Sequence, residues 1–152
     1  MWKWIQSFLF QDNSLSPVSQ NQFILVVDDN ETERVFYART LDKAGYEIAM
    51  AQSAHEAMNL VRQRRPDVIL TDFYMPEMNG HEMCRILKDD PETAGIPVIF
   101  LTSSDKSADL VECFDAGCEY FLKKPIDARS LVRQVNTVLS DLKQEQVCVV
   151  QD

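Results

Sequence analysis

The sequence predicts an α/β fold: a doubly wound parallel sheet built from five strand–helix repeats, with helices on both faces. Three observations carry that reading. Short runs rich in β-branched residues, Phe23-Ile-Leu-Val-Val27, Val68-Ile-Leu-Thr71 and Pro97-Val-Ile-Phe-Leu101, have the composition of strands buried on both sides. Stretches of helical length closed by Gly or Pro lie between them, and strands alternating with helices imply parallel pairing through right-handed crossovers. The first and third runs also lead directly into carboxylates, Asp28 and Asp29 and then Asp72. Open α/β sheets collect their ligands outside such strand ends.

The elements follow in order. Residues 11–22 are polar and carry Pro17, a linker composition, so the globular part is expected to begin at Phe23. After the first strand, Glu31 to Ala44 reads as a helix with a partly apolar face, and Gly45 suits the left-handed position that ends it. Tyr46 to Met50 reads as the second strand. Ser53-Ala-His-Glu56 matches a capping box, opening a helix whose Ala57, Leu60 and Val61 face the sheet until Pro66 forbids continuation.

The third strand ends at Asp72 and gives way to a loop punctuated by Pro76 and Gly80, then to a helix through about Lys88. The fourth strand delivers Thr102 to its carboxyl end. A helix from Asp105 to Ala116 closes on Gly117, Glu119 to Leu122 makes the fifth strand, and Asp127 caps a last helix through about Leu142. Three segments result: 1–22, apolar and then polar; 23–143, the folded domain; and 144–152, a tail.

Bulk properties narrow the function. A chain of 152 residues suits one domain with a real core. A formal net charge of -9 speaks against a nucleic-acid surface, which draws its affinity from Lys and Arg on phosphates. The four cysteines at 84, 113, 118 and 148 form no CxxC pair and no zinc spacing with the two histidines, so free thiols in a reducing, cytoplasmic setting are expected. The apolar stretch from Met1 to Phe10 is far shorter than the ~20 residues a bilayer span needs, so no transmembrane span is expected.

The strand ends carry the chemistry. Asp28 and Asp29, Asp72, Thr102 and Lys124 all fall on one rim of such a sheet. Carboxylates this close share a proton or hold a cation, and Mg²⁺ needs only one or two protein carboxylates with waters and a phosphate; Mn²⁺ can substitute. A carboxylate nucleophile, metal ligands, a hydroxyl and a cation are what phosphoryl transfer to an aspartate requires. Asp72 is expected to be the attacking group, with Thr102 donating a hydrogen bond to the phosphoryl oxygens and Lys124 neutralising their charge.

With those residues in place, the chain resembles the receiver domain of two-component response regulators over residues 23 to about 143. The matching segments are Ile24-Leu-Val-Val-Asp-Asp-Asn30, Pro66-Asp-Val-Ile-Leu-Thr-Asp-Phe-Tyr-Met-Pro-Glu-Met-Asn-Gly80, Ile96-Pro-Val-Ile-Phe-Leu-Thr102 and Gly117-Cys-Glu-Tyr-Phe-Leu-Lys-Lys-Pro-Ile126. The resemblance implies a flavodoxin-like strand order, 2-1-3-4-5. It implies that Asp72 accepts phosphate from a histidine kinase or histidine phosphotransfer protein, and that Asp28 and Asp29 with the Tyr74 carbonyl organise Mg²⁺. It further implies a cis Lys124–Pro125 peptide and a switch through Thr102 and Phe121 that remodels the face made by the fourth helix, fifth strand and fifth helix. Such a protein is a signalling module, catalysing only its own phosphorylation and dephosphorylation, and its output is expected through contact with a downstream protein.

Other readings fit less well. An aspartate-dependent phosphatase of the haloacid dehalogenase type wants DxD after the first strand, and Asp28-Asp29-Asn30 places the second acid one position early. A flavodoxin wants an anion-accepting loop there, which two carboxylates oppose. A non-phosphorylated pseudo-receiver would not need the full acid, hydroxyl and lysine set. His55 and His81 read as exposed helix residues, and Arg62, Arg64 and Arg65 as a solvated helix end. Trp2, Trp4, Ile5, Phe8 and Leu9, at spacings of three and four, are expected to form a docking or self-association element.

Overall fold

The computed structural model describes residues 22–103, 107–118 and 120–150, with the backbone alone for 107–109 and 143–150. The N-terminal aromatic residues, Asp105 and Glu119, all assigned above from sequence, lie outside the described residues. The elements are β1 (Phe23–Val27), α1 (Glu31–Lys43), β2 (Glu47–Ala51), α2 (Ala54–Gln63), β3 (Val68–Asp72), α3 (Gly80–Asp89), β4 (Val98–Thr102), α4 (Ser107–Asp115), β5 (Tyr120–Lys123) and α5 (Ala128–Val150). The five strands form one sheet in the order β2-β1-β3-β4-β5, every pair parallel. The expected α/β class and strand order are those of the molecule.

Side-chain alternation along each strand builds two cores. Ile24 and Val26 of β1 join Leu70, Ile99 and Leu101 beneath α1 and α5, where Leu41, Leu131 and Val135 close the layer. Leu25 and Val27 point the other way, with Ile69, Val98 and Phe100, against Ala57 and Val61 of α2, Met83 and Leu87 of α3 and Cys113 of α4. The continuous apolar runs are explained by this double burial, and each fully buried Leu or Ile adds roughly 1.5–3 kcal/mol. Phe121 packs toward the second cluster and Tyr120 toward the first, on opposite faces of β5 as their adjacency demands.

Local sequence sets the helix ends. Asn30 Oδ1 accepts the Glu33 N–H at 3.1 Å to start α1, and Ser53 Oγ accepts the Glu56 N–H at 3.2 Å to start α2. Asp127 opens α5 by accepting both the Ser130 N–H and hydroxyl, at 2.8 and 3.0 Å. At the end of α1, Gly45 (φ +103°) lets Tyr46 N–H reach back to the Leu41 carbonyl while its own N–H bonds Asp42. That pair of bonds reverses the chain into β2 and lays buried Tyr46 on buried Leu41.

Several boundaries differ from the sequence reading. Tyr46 is spent on the turn, so β2 starts at Glu47 and gains Ala51, whose carbonyl accepts the Asp28 N–H at 3.1 Å. β4 starts one residue later and reaches Thr102, which pairs with Lys123. α5 passes Leu142 and continues to Val150, since no Gly or Pro follows to stop it. Arg64 ends α2 exposed to solvent, as expected, while its guanidinium also forks onto Glu47 at 2.5 and 2.8 Å and lies 4.1 Å over the Phe23 ring. Among the described residues no helix is long and apolar enough to cross a membrane.

Candidate phosphoacceptor and metal site

The carboxyl ends of β1, β3, β4 and the segment after β5 converge on a cleft of about 610 Å³, lined among others by Asp29, Glu33, Asp72, Tyr74, Thr102 and Lys124. Its floor is Asp28. This residue follows β1, is 1% exposed, and is fixed at both ends of the peptide: its N–H bonds Ala51, and its carbonyl accepts from Arg34 Nη1 at 2.8 Å. One carboxylate oxygen accepts the Asn30 N–H at 2.9 Å. The same turn leaves Asp29 exposed at the rim.

Asp72 is the last residue of β3, half-withdrawn from solvent. The chain leaves it along a tightly held path, because Phe73 N–H bonds Leu101 at 3.1 Å and Phe73 carbonyl accepts Gly80 N–H at 2.9 Å. Between them the loop carries Glu77 at positive φ, an Asn79 Oδ1 contact to Met75 N–H at 3.3 Å, and a Glu82 carboxylate that accepts the Asn79 N–H at 2.9 Å. Carboxylate oxygens of Asp28, Asp29 and Asp72 lie within 4.8 Å of one another.

Lys124 crosses the cleft from the far side. Its peptide to Pro125 is cis, and its N–H bonds the Thr102 carbonyl at 2.8 Å, so the two strand ends are stitched together where both side chains enter the site. Lys124 Nζ stands 3.4 Å from Asp72 Oδ1, 3.5 Å from Asp28 Oδ2 and 2.6 Å from Glu33 Oε2. Thr102 is buried beside it. The sequence-derived residues Asp28, Asp29, Asp72, Thr102 and Lys124 are therefore neighbours in space, with exposed Tyr74 on the same rim.

The electrostatics are those of crowded anions. Burial pushes the Asp28 carboxyl up to about 6, opposed by the Asn30 N–H and by Lys124 and reinforced by Asp72 and Glu33. Burial also raises Asp72, against the pull of Lys124. Burial alone would lower Lys124, but the Glu33 hydrogen bond and the charges of Asp72 and Asp28 outweigh it and hold the ammonium firmly protonated. An all-oxygen donor set of this kind, with unneutralised charge and no sulfur or imidazole, suits a hard divalent cation such as Mg²⁺ or Mn²⁺ rather than zinc.

Two residues depart from expectation. Glu33 carries the shortest contact to Lys124 and was not anticipated from sequence, although its place one turn before Tyr37 puts both on the α1 face that meets the strand ends. His81 is not an exposed helix residue. Gly80 brings the start of α3 against β3, so the imidazole stacks on Phe73 at 4.8 Å with only 15% of the side chain exposed, and Nε2 lies 3.8 Å from Glu112. His55 is exposed, as expected.

Comparisons with known proteins agree with this geometry. Residues 24–136 match the family model of the response regulator receiver domain. Protein PilH of Pseudomonas aeruginosa is 38% identical over 117 residues, covering 77% of this chain and 97% of that protein. The polar-differentiation response regulator DivK of Brucella anthropi is 34% identical over 118 residues, 78% of this chain and 96% of its own. Among solved structures, chemotaxis response regulator CheY4 of Vibrio cholerae superposes with a TM-score of 0.74 at 28% identity, covering 78% of this chain and 99% of that one. A matched model spanning most of the fold, full-length relatives and the acidic cluster at the strand ends lead to one assignment: the chain belongs to the response regulator receiver domain family.

Proposed function

We propose that the protein is a response regulator of a phosphorelay that takes a phosphoryl group onto Asp72 from the phosphohistidine of a sensor kinase or phosphotransfer protein. The observation that carries this reading is the placement of one ammonium, Lys124 Nζ, within 3.5 Å of both Asp28 and Asp72 beside the three-carboxylate cluster. In the proposed step, an Asp72 oxygen attacks phosphorus in line as the phosphorus–nitrogen bond of the donor breaks, and the leaving imidazole takes up a proton. A carboxylate already ionised at neutral pH needs no general base for this.

The remaining residues position and neutralise. Asp28, Asp29, Asp72 and the Tyr74 carbonyl would hold Mg²⁺ or Mn²⁺, which when bound supplies positive charge to the phosphoryl oxygens. Lys124 pairs with the same group, and the Thr102 hydroxyl donates a hydrogen bond to it. Displacement of Thr102 toward the phosphoryl group opens space for Phe121, and the face of α4, β5 and α5 changes shape for a downstream protein. Trapping tests the reading: beryllofluoride with Mg²⁺ is expected to shift the amide signals of Asp72, Thr102 and Lys124. No shift at these positions in saturating reagent would refute it.

A further inference from the structure

We propose that Glu33 is a positioning residue of the phosphorylation site: it competes with Asp28 and Asp72 for the Lys124 ammonium, keeping their contacts to it long and their oxygens more open to a divalent cation, and releases it when a phosphoryl group arrives. The inference rests on the phosphoryl-accepting reading of Asp72. Of the three carboxylates that meet Lys124 Nζ, the nearest is the one outside the acidic cluster, at 2.6 Å against 3.4 and 3.5 Å. Every hydrogen bond the ammonium gives to Asp28 or Asp72 occupies a lone pair that a hard cation would need. Glu33 provides it another place to bond.

Its mounting suits that role. The Glu33 N–H is tied to Asn30 Oδ1 at 3.1 Å in the first turn of α1, next to the metal-facing turn, and Tyr37 on the same helix face lies with its ring 5.9 Å from Nζ. The ammonium is thereby flanked on the α1 side by Glu33 and Tyr37. Glu33 is 40% exposed at its side chain whereas Asp28 is 1% exposed, so Glu33 regains water when the ion pair breaks and Asp28 cannot. The contact that opens at least cost is therefore the one to Glu33, and the ammonium is handed on without stranding a buried charge.

Two effects of opposite sign follow for Glu33→Gln. Loss of a nearby negative charge, with Lys124 falling back on Asp28 and Asp72, weakens Mg²⁺ binding. Loss of the competing carboxylate strengthens binding of an anionic phosphoryl analogue. The experiment measures Mg²⁺ affinity alone, and beryllofluoride affinity at saturating Mg²⁺, by amide-shift titration of the full chain as wild type, Glu33→Gln and Glu31→Gln.

Glu31 lies in the same first turn and serves as the control for helix-terminus charge. Glu33→Gln is expected to raise the Mg²⁺ Kd about threefold and to lower the beryllofluoride Kd about fivefold, with Glu31→Gln changing neither by that much. Unchanged affinities, or shifts of both in the same direction, would overturn the role of Glu33 while leaving Asp72 as acceptor. Wild type that binds Mg²⁺ but no beryllofluoride would overturn the underlying reading as well.

Discussion

Gly80 lies directly against the carbonyl oxygen of Asp72: a Cβ built on residue 80 would stand 2.2 Å from that oxygen and 3.0 Å from the Phe100 ring. The loop that leaves β3 can therefore fold back into α3 only if residue 80 has no side chain. This close approach also seats His81 on Phe73.

Gly80→Ala is expected to destabilise the fold by at least about 2 kcal/mol, because the clash is with backbone and cannot be relieved by a rotamer change. Gly45→Ala is the internal comparison: φ is +103° but nothing lies within 4 Å, so only backbone strain of about 1 kcal/mol is expected. Urea unfolding of the two variants should rank them in that order; equal losses would contradict the close-approach account.

Asp28 gives the metal-free protein a pH dependence of unusual sign. Its carboxyl is raised from 3.8 to about 6 in the folded state, so between those values the native state binds the proton that the unfolded chain releases. Burying it ionised costs on the order of 3 kcal/mol above about pH 6, and the cost is relieved as pH falls toward 4. Glu47, held low by its Arg64 hydrogen bond, and Asp127, held low by the Ser130 N–H, act in the opposite direction. The comparison with Asp28→Asn isolates the effect: wild type should gain stability relative to the variant on acidification from about pH 7 to about pH 5 in chelator. A constant difference across that range would show that Asp28 is not the source.

Chelation should leave the fold intact. Both cores are built from apolar contacts, so the metal-free domain is expected to fold and Mg²⁺ to add stability only through binding. A tenfold excess over Kd should contribute about 1.4 kcal/mol, and Asp29→Asn should remove most of that gain. Unfolding on addition of chelator would mean that the cation is structural.

Thr102→Ala is expected to accept phosphate and yet lose most of the amide shift over α4, β5 and α5. Thr102 is buried at the end of β4, one ladder step from Leu101↔Leu122 and two from Phe100↔Phe121, so a displacement of Thr102 would be passed along β5. Retention of the full shift in the variant would remove Thr102 from the switch.

The strand ends were legible because each apolar run stops where its polar residue begins. Val27 gives way to Asp28, Leu70 and Thr71 to Asp72, and Leu101 to Thr102, and a parallel sheet brings such positions to one rim. Gly45 and Asp127 likewise announced a helix end and a helix start through local chemistry alone. What stayed hidden depends on partners distant in sequence. Glu33 matters through Lys124, 91 residues away, and an acid in a first helical turn is ordinarily explained by the helix dipole. His81 reads as surface because its burial comes from Phe73 and the close approach at Gly80, and the fork of exposed Arg64 on Glu47 stays hidden because it joins a helix end to a strand 17 residues away.

The most direct measurement is covalent labelling of the full chain with acetyl phosphate, read by intact mass and by locating the modified peptide. With Mg²⁺ present, one phosphoryl group is expected per chain, on Asp72, labile at alkaline pH, and absent from Asp72→Asn and from samples in chelator. Label that persists in Asp72→Asn, or wild type that takes up none in Mg²⁺, would contradict Asp72 as the phosphoacceptor.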